Sequence, residues 1–145
     1  MEFTDYDTRL AAYALIVEDG RVLLTWYNGS GTAPACWSLP GGGVDFEETV
    51  EEAVVREARE ETGHDVALGE LVAVHSFTEG VDRPRPFKSL RVVFLAEITG
   101  GELGTLEVGG TTDRAAWVEL SALDSEPAVA DIVTVALAAR AARVV

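Results

Sequence analysis

The chain has 145 residues, of which 48% are hydrophobic, and its 25 acidic and 11 basic residues give a formal net charge of −14. This length is typical of a single domain, and the composition excludes a disordered tail or a fibrous repeat. An acidic surface repels phosphate backbones and anionic lipids, so we expect neither a nucleic-acid partner nor a membrane partner.

Cys36 is the only cysteine, so an intrachain disulfide is excluded and a reducing, cytoplasmic setting is expected. The first ten residues lack a basic segment followed by an apolar run, and no stretch approaches the roughly 18 to 20 apolar residues of a membrane span. The sequence therefore predicts one domain over residues 1–145.

The first predicted element is a strand over residues 10–17, because the run LAAYALIV becomes fully apolar and suits burial on both faces. Glu18-Asp19-Gly20 predicts a hairpin turn, since Asp-Gly tolerates positive φ angles. The elements expected next are a returning strand over 21–27, a loop over 28–34, a short strand over 37–39 and a break at the Pro-Gly-Gly-Gly run 40–43.

A helix is predicted over residues 49–62. Thr49 and Glu52 have the spacing of a capping box, and Gly63 stands where a C-terminal cap is expected. Asp45 and Glu48 form a competing cap pair, which leaves the start of the helix open by one turn.

The second half of the chain predicts further strands and a final helix. The strands cover residues 66–77, 89–98 and 115–119, with a basic loop between the first two and a glycine-rich loop over 100–112. Pro127 suits the first turn of the final helix, which runs to about residue 143 and packs on the sheet or in a homodimer interface. The pattern predicts an α/β fold in which helices pack against a mixed sheet.

The central helix breaks the rule for an amphipathic helix. At 100° per residue, one side carries in order Val50, Ala53, Val54, Glu57, Glu60 and Glu61. Like charges at this spacing cost about 0.2 to 0.5 kcal/mol per pair, although Arg56 can hold Glu60. Clustered carboxylates are suitable ligands for Mg²⁺ or Mn²⁺. The alternative is a solvated acidic face, which is favoured if the glutamates are not part of a longer motif.

The glutamates belong to a longer motif. Residues 42–64 resemble the Nudix box, which reads G-x5-E-x7-R-E-U-x-E-E-x-G-U, where U is apolar. The matching positions are Gly42, Glu48, Arg56, Glu57, Glu60, Glu61 and Gly63. Ala58 fills the first apolar position, and His64 departs from the last one, where no metal ligand is expected.

The resemblance implies a fold and a metal site. The fold would be a Nudix-like α/β/α sandwich with a mixed β-sheet, in which the box forms a loop-helix-loop. The cofactor would be Mg²⁺, with Mn²⁺ as the alternative, held by Glu57, Glu60, Glu61 and the carbonyl of Gly41. Arg56 would orient a glutamate through charge-assisted hydrogen bonds.

Two catalytic roles remain open within the resemblance. Glu48 is placed to reach metal-bound water or to hold Arg56, and the alternative is a helix-cap residue. Members of the family take the general base from the box or from a loop outside it. Glu107, in the glycine-rich loop, is the first outside candidate here, and Asp113 is the second.

Substrate contacts are expected in two places. Arg83, Arg85 and Lys88 share one loop of an acidic chain and can meet a phosphate or a ribose, and the alternative is a solvated hairpin tip. Phe46, in the box loop, and Phe87, in the basic loop, can stack on a base, whereas the other aromatic residues are assigned to the core.

The resemblance implies Mg²⁺-dependent hydrolysis of a phosphoanhydride bond in a nucleoside diphosphate linked to another group. ADP-ribose, a nucleoside triphosphate and a dinucleoside polyphosphate all satisfy that description. The alternatives are a nucleotide-binding module of the same fold without turnover and an unrelated acidic interaction domain. Three mutually repelling carboxylates favour the enzyme, because a sensor does not need them.

Overall fold

The structure is a computed structural model that describes residues 1–31 and 33–143. It contains eight strands: β1 (Asp7–Leu15), β2 (Val17–Glu18), β3 (Arg21–Tyr27), β4 (Cys36–Ser38), β5 (Gly41–Gly43), β6 (His64–Glu79), β7 (Phe87–Gly101) and β8 (Thr112–Glu119). Its helices are α1 (Val50–Thr62), a 3₁₀ helix (Leu120–Ser125) and α2 (Asp131–Arg143). Thr32, in the predicted loop 28–34, lies outside the described residues.

The strands form two four-stranded sheets. The first has the order β5-β1-β7-β6, and it is mixed because β1 and β7 are parallel while the other neighbours are antiparallel. In the second, antiparallel sheet, β3 pairs with β2, β4 and β8. The predicted α/β class with a mixed sheet and packed helices is confirmed, and the second sheet is an addition to it.

The two helices cover opposite faces of the mixed sheet. Alternate residues of β1 point to opposite faces, and Ala12 and Ala14, with Ile16 just after the strand, pack with α1 through Ala53, Val54 and Ala58. The other face contributes Leu15 and Val93 to a second cluster with Ile132, Val133 and Ala136 of α2. The α2 helix therefore packs its buried side on the sheets, and a homodimer stays a prediction.

Helix α1 begins and ends where its sequence signals predict. The Thr49 side chain accepts a hydrogen bond from the Glu52 N–H, and the Glu52 side chain accepts one from the Thr49 N–H. Gly63 closes the helix in the left-handed region at φ 79°. The competing pair Asp45 and Glu48 forms a turn ahead of the helix instead.

Two predictions about element boundaries are wrong. The run Gly41–Gly43 is a strand and not a break, since its backbone pairs with residues 11–13 of β1. The final helix begins at Asp131 and not at Pro127, because the segment before it is held extended by a parallel bridge between Trp37 and Val129. The predicted turn at Asp19 and Gly20 is confirmed, with both φ angles positive.

Candidate active site

The box residues gather where the second half of α1 passes behind the glycine strand β5. The strand lies at an edge of the mixed sheet, beside β1. A Cβ at Gly42 would come within 2.9 Å of the Glu57 Oε1, which shows how closely this carboxylate approaches the backbone. Only a residue without a side chain fits at position 42 while Glu57 keeps this position.

Arg56 is the centre of the carboxylate cluster. Its Nη2 donates to the Glu48 Oε1 at 2.6 Å and its Nε donates to the Glu48 Oε2 at 3.0 Å. Its Nη1 donates to the Glu57 Oε1 at 3.0 Å and to the Glu60 Oε2 at 3.3 Å. The bidentate pair anchors the guanidinium, so Arg56 fixes the positions of Glu57 and Glu60 relative to each other.

Glu48 is the anchor of this network. Besides the two bonds from Arg56, its Oε1 accepts a hydrogen bond from the Asp45 N–H at 2.8 Å. The bond from Arg56 and the one from the Asp45 backbone lower the pKa of Glu48 to about 2. Glu48 therefore holds Arg56 and also closes the turn with Asp45, and its contact with metal-bound water stays a prediction.

Glu61 follows Glu57 by one turn on the same side of α1 and is 5% exposed. Its Oε1 accepts a hydrogen bond from the Gly41 N–H at 2.7 Å, and its Oε2 accepts one from the Thr112 hydroxyl. Burial raises the pKa of Glu61 to about 8, and the charges of Glu57 and Glu107 act in the same direction. The predicted role of the Gly41 carbonyl in metal binding stays a prediction.

Glu57 shares this electrostatic environment. Burial raises the pKa of its carboxyl, and the charges of Glu60 and Glu107 add to the rise while Arg56 opposes it. The cluster therefore holds more negative charge than its one arginine neutralises, which is the setting in which carboxylates bind a cation.

Glu107 reaches the same cluster from the glycine-rich loop. The backbone N–H groups of Leu106 and Glu107 both donate to the Glu60 carbonyl, at 2.8 and 3.0 Å. The Asp113 carboxylate instead accepts a hydrogen bond from the Asn28 side chain at 3.0 Å, at the far end of β3. The structure brings Glu107, and not Asp113, to the box.

The donor set fits a hard divalent cation in chemistry and in charge. Carboxylate oxygens are the ligands that Mg²⁺ and Mn²⁺ prefer. In the described part of the chain, His64 and His75 bond to Gly100 and Arg91 and not to these glutamates. Over residues 1–31 and 33–143, no three acidic, His or Cys side chains converge on one point as a preformed metal site. The cause is geometric, because Arg56 holds Glu57 and Glu60 while Glu61 turns toward Gly41 and Thr112.

A cavity of about 640 Å³ opens beside the box. Gly41, Gly42 and Glu61 form part of its wall, and Arg9, Phe77, Arg91 and Asp131 are among the other lining residues. Its size suits a nucleotide-sized ligand. The cavity reaches from the glycine strand to the first turn of α2.

The far wall of the cavity holds residues that sequence reasoning missed. Arg91 is 6% exposed and donates to both carboxylate oxygens of Asp131, each at 3.0 Å. Its Nη2 also lies 2.6 Å from the His75 Nδ1, its guanidinium lies over the Phe77 ring, and its buried Nε has no partner. The sequence signal that could have identified Arg91 is its position within the apolar run of β7, because a buried arginine needs a charged partner.

The structure brings none of the five predicted substrate contacts to this cavity. Arg85 pairs with Asp7 at 2.9 Å, Lys88 lies over the Tyr6 ring, and Arg83 packs near Gly80. Phe87 and Lys88 line a smaller cavity of about 230 Å³, and Phe46 is 98% exposed. Their roles in substrate binding stay predictions.

Comparison with known proteins gives a family match. The model of the NUDIX domain matches residues 7–136. An ADP-ribose pyrophosphatase of Methanocaldococcus jannaschii is 35% identical over 114 residues, which cover 79% of this chain and 63% of the relative. A putative 8-oxo-dGTP diphosphatase of Bacillus subtilis is 40% identical over 82 residues, which cover 57% of this chain and 49% of the relative. The chain thus spans less than two thirds of the length of either curated relative.

Solved structures agree with the fold. The MutT NUDIX hydrolase of Burkholderia pseudomallei is 31% identical, with a TM-score of 0.71 over 90% of this chain and 97% of that chain. A NUDIX hydrolase of Nitrosomonas europaea has a TM-score of 0.77 over 94% of this chain and 90% of that chain, at 22% identity, and this likeness concerns the fold alone. The predicted resemblance and fold class are confirmed.

Proposed function

The chain belongs to the NUDIX domain family, and from this membership we propose that it is a hydrolase of phosphoanhydride bonds. The substrate is a nucleoside diphosphate linked to another group, of the ADP-ribose, nucleoside triphosphate or dinucleoside polyphosphate class. The names of the two relatives agree with cleavage of a pyrophosphate bond. The observation that supports this proposal most directly is the packing of Glu57 and Glu61 against the glycine strand β5, which lines the cavity.

Hydrolases of this family generally use a divalent metal, and we propose Mg²⁺, with Mn²⁺ as a substitute. Glu57, Glu60, Glu61 and the Gly41 carbonyl would hold it. Bound there, the metal would neutralise phosphate oxygens and make a water more acidic. The carboxylate chemistry of the cluster and its excess negative charge support this assignment.

The chain's own residues then have distinct tasks. Arg56, anchored by Glu48, positions Glu57 and Glu60, and the Gly41 N–H with the Thr112 hydroxyl positions Glu61. Fixed positions matter because a shift of about 1 Å in a reacting group can cost about 100-fold in rate.

Glu107 is the proposed general base. Its carboxylate would take a proton from the attacking water as the water oxygen bonds to phosphorus and the bridging P–O bond breaks. The electrons of that bond leave with the departing phosphate. The influence of Glu107 on the pKa of Glu57 and of Glu61 supports a position close enough for this role.

We also propose a cytoplasmic location, which rests on the single cysteine of the chain. Within the described residues, none of the helices has the length and apolar character needed to span a bilayer.

The test is a hydrolysis assay with Mg²⁺ on ADP-ribose, deoxynucleoside and nucleoside triphosphates, dinucleoside polyphosphates and nucleotide sugars. The expected result is release of a nucleoside monophosphate from at least one compound, with loss of activity in the Glu57→Gln variant. Thermal stabilisation by a compound that is never cleaved would favour the nucleotide-binding module and contradict the enzyme.

A further inference from the structure

Two arginines line the large cavity, and only one of them is neutralised by a carboxylate. Arg91 pairs with Asp131 through both guanidinium nitrogens. Arg9 also lines the cavity, and among the described residues no carboxylate lies within 4.0 Å of its nitrogens. Arg9 is exposed, so in a chain of net charge −14 it is a cation that an anionic ligand in this cavity can reach.

Most other basic side chains have partners on the protein. Arg56, Arg59, Arg85 and Arg143 form ion pairs, and Arg21, Lys88 and Arg114 lie over aromatic rings. Arg83 and Arg140 lack such partners in the described part of the chain, and neither lines the large cavity. Arg9 therefore differs from the other basic residues in facing the site without a counter-charge.

The register of the mixed sheet sets the direction of the Arg9 side chain. Arg9, Ala11 and Tyr13 alternate along β1 onto one face, and Arg9 and Tyr13 line the cavity. Ala11 pairs with Gly43, so a Cβ at Gly43 would point to this same face. Built there, that Cβ lies 3.7 Å from the Arg9 Nη2, which puts the guanidinium on the cavity side of Gly43.

Glu57 approaches the glycine strand from the opposite face. A Cβ at Gly42 would point toward α1, where it would meet the Glu57 carboxylate. The strand β5 therefore has the Arg9 guanidinium on its cavity side and the Glu57 carboxylate on its helix side. Its three glycines carry no side chains that would separate the two groups.

We propose that Arg9 binds a phosphoryl group of the substrate on the cavity side of β5, an inference that rests on the proposed function. A diphosphate beside the box is negatively charged, so carboxylates can hold its oxygens only through a bound cation. A guanidinium binds such oxygens directly. Arg9 would thus add a donor to phosphate oxygens on the side of β5 away from Glu57. It is a substrate-binding residue, and no proton transfer is assigned to it.

The test compares Arg9→Gln and Arg9→Lys with Arg140→Gln, a control that removes an arginine located outside this cavity. Calorimetry would measure binding of imidodiphosphate, a non-hydrolysable diphosphate, in Mg²⁺ buffer. We expect Arg9→Gln to weaken binding about 10- to 50-fold and Arg9→Lys to weaken it less, because a lysine keeps the charge but loses the fork of donors. Mn²⁺ binding without diphosphate should be unchanged in all three variants.

A kinetic readout uses the substrate that the wild type cleaves. Arg9→Gln should raise KM about ten-fold with little change in kcat, because a ground-state phosphate contact acts on binding. Unchanged imidodiphosphate binding and unchanged KM would overturn the inference and leave the proposed function standing, as would equal losses in Arg9→Gln and Arg140→Gln. A wild type that neither binds imidodiphosphate nor cleaves any compound would overturn both.

Discussion

Replacing Glu61 with glutamine removes a buried ionisable group and keeps the shape of the side chain. A glutamine oxygen can still accept from the Gly41 N–H, and its amide can donate to the Thr112 hydroxyl oxygen. In the wild type, burial raises the pKa of this carboxyl from 4.5 to about 8. At 1.36 kcal/mol per pH unit, this shift destabilises the folded protein by about 3 kcal/mol at pH 7.

Glutamine does not ionise and so avoids that cost, but its amide must replace the carboxyl in the hydrogen bonds with Gly41 and Thr112, which costs about 1 kcal/mol. We therefore expect Glu61→Gln to be about 1 to 3 kcal/mol more stable than the wild type in metal-free buffer at pH 7. Thermal unfolding should show a Tm higher by about 3 to 10 °C. Hydrolysis with Mg²⁺ should fall at least about 100-fold.

The assay is urea unfolding in EDTA and again in Mg²⁺ buffer, with Glu97→Gln as the control. Glu97 is an exposed glutamate of β7, so its substitution should change stability by less than about 0.5 kcal/mol. Mg²⁺ should stabilise the wild type more than Glu61→Gln, since ligand binding stabilises only a protein with the site. A Glu61→Gln variant that is less stable than the wild type without metal would refute the account of a buried carboxyl whose ionisation is opposed by folding.

Further predictions concern the glycine strand, the base and the far wall of the cavity. Gly42→Ala should lower kcat/KM about 100-fold while the protein stays folded, because the new Cβ displaces the Glu57 carboxylate. Activity assays would measure the first effect, and thermal unfolding would check the second. Glu107→Gln should lower kcat by about 100-fold or more with KM little changed, as steady-state kinetics would show. Arg91 lowers the pKa of Asp131 below its ordinary value of 3.8. The ion pair therefore stabilises the fold fully above pH 3.8, and this stability is lost as the pH falls through the lowered pKa. The Tm gap between wild type and Asp131→Asn should therefore be full at neutral pH and close as the pH falls below 3.8.

Each of these predictions has a matched control or a contradicting result. Gly104→Ala adds a Cβ that meets nothing within 4 Å, so it should keep full activity. Asp113→Asn should keep full turnover because Asp113 bonds to Asn28, away from the box, and equal losses in this variant and Glu107→Gln would remove the distinction between the two. A Tm gap for Asp131→Asn that stays constant down to low pH would show that the pair with Arg91 contributes nothing that titrates.

Local signals explain what could be predicted from the sequence. Helix α1 is bounded by a capping box and a left-handed glycine, and both act within a few residues of the helix ends. The ion pair between Arg56 and Glu60 follows from their spacing of four on one helix. The motif spacing in turn led to the family, because its matching residues lie within one continuous segment.

Contacts between residues far apart in the chain explain the features that could not be predicted from the sequence. The glycine run becomes a strand only because β1 offers its edge, and glycine has no intrinsic preference for a strand. Arg91 and Asp131 are 40 residues apart and meet through the packing of α2 against the sheet. The basic loop looked like a phosphate site because its charges are adjacent in sequence, but Arg85 and Lys88 contact the N-terminal segment instead.

Binding of Mn²⁺ to the wild type and to Glu57→Gln, measured by calorimetry with and without imidodiphosphate, tests the central claim most directly. The account predicts uptake by the wild type that becomes tighter with the diphosphate, and uptake weakened at least about ten-fold in Glu57→Gln. A wild type that takes up no Mn²⁺ under either condition, or a Glu57→Gln variant that binds it equally well, would contradict the proposal that these carboxylates hold the cation.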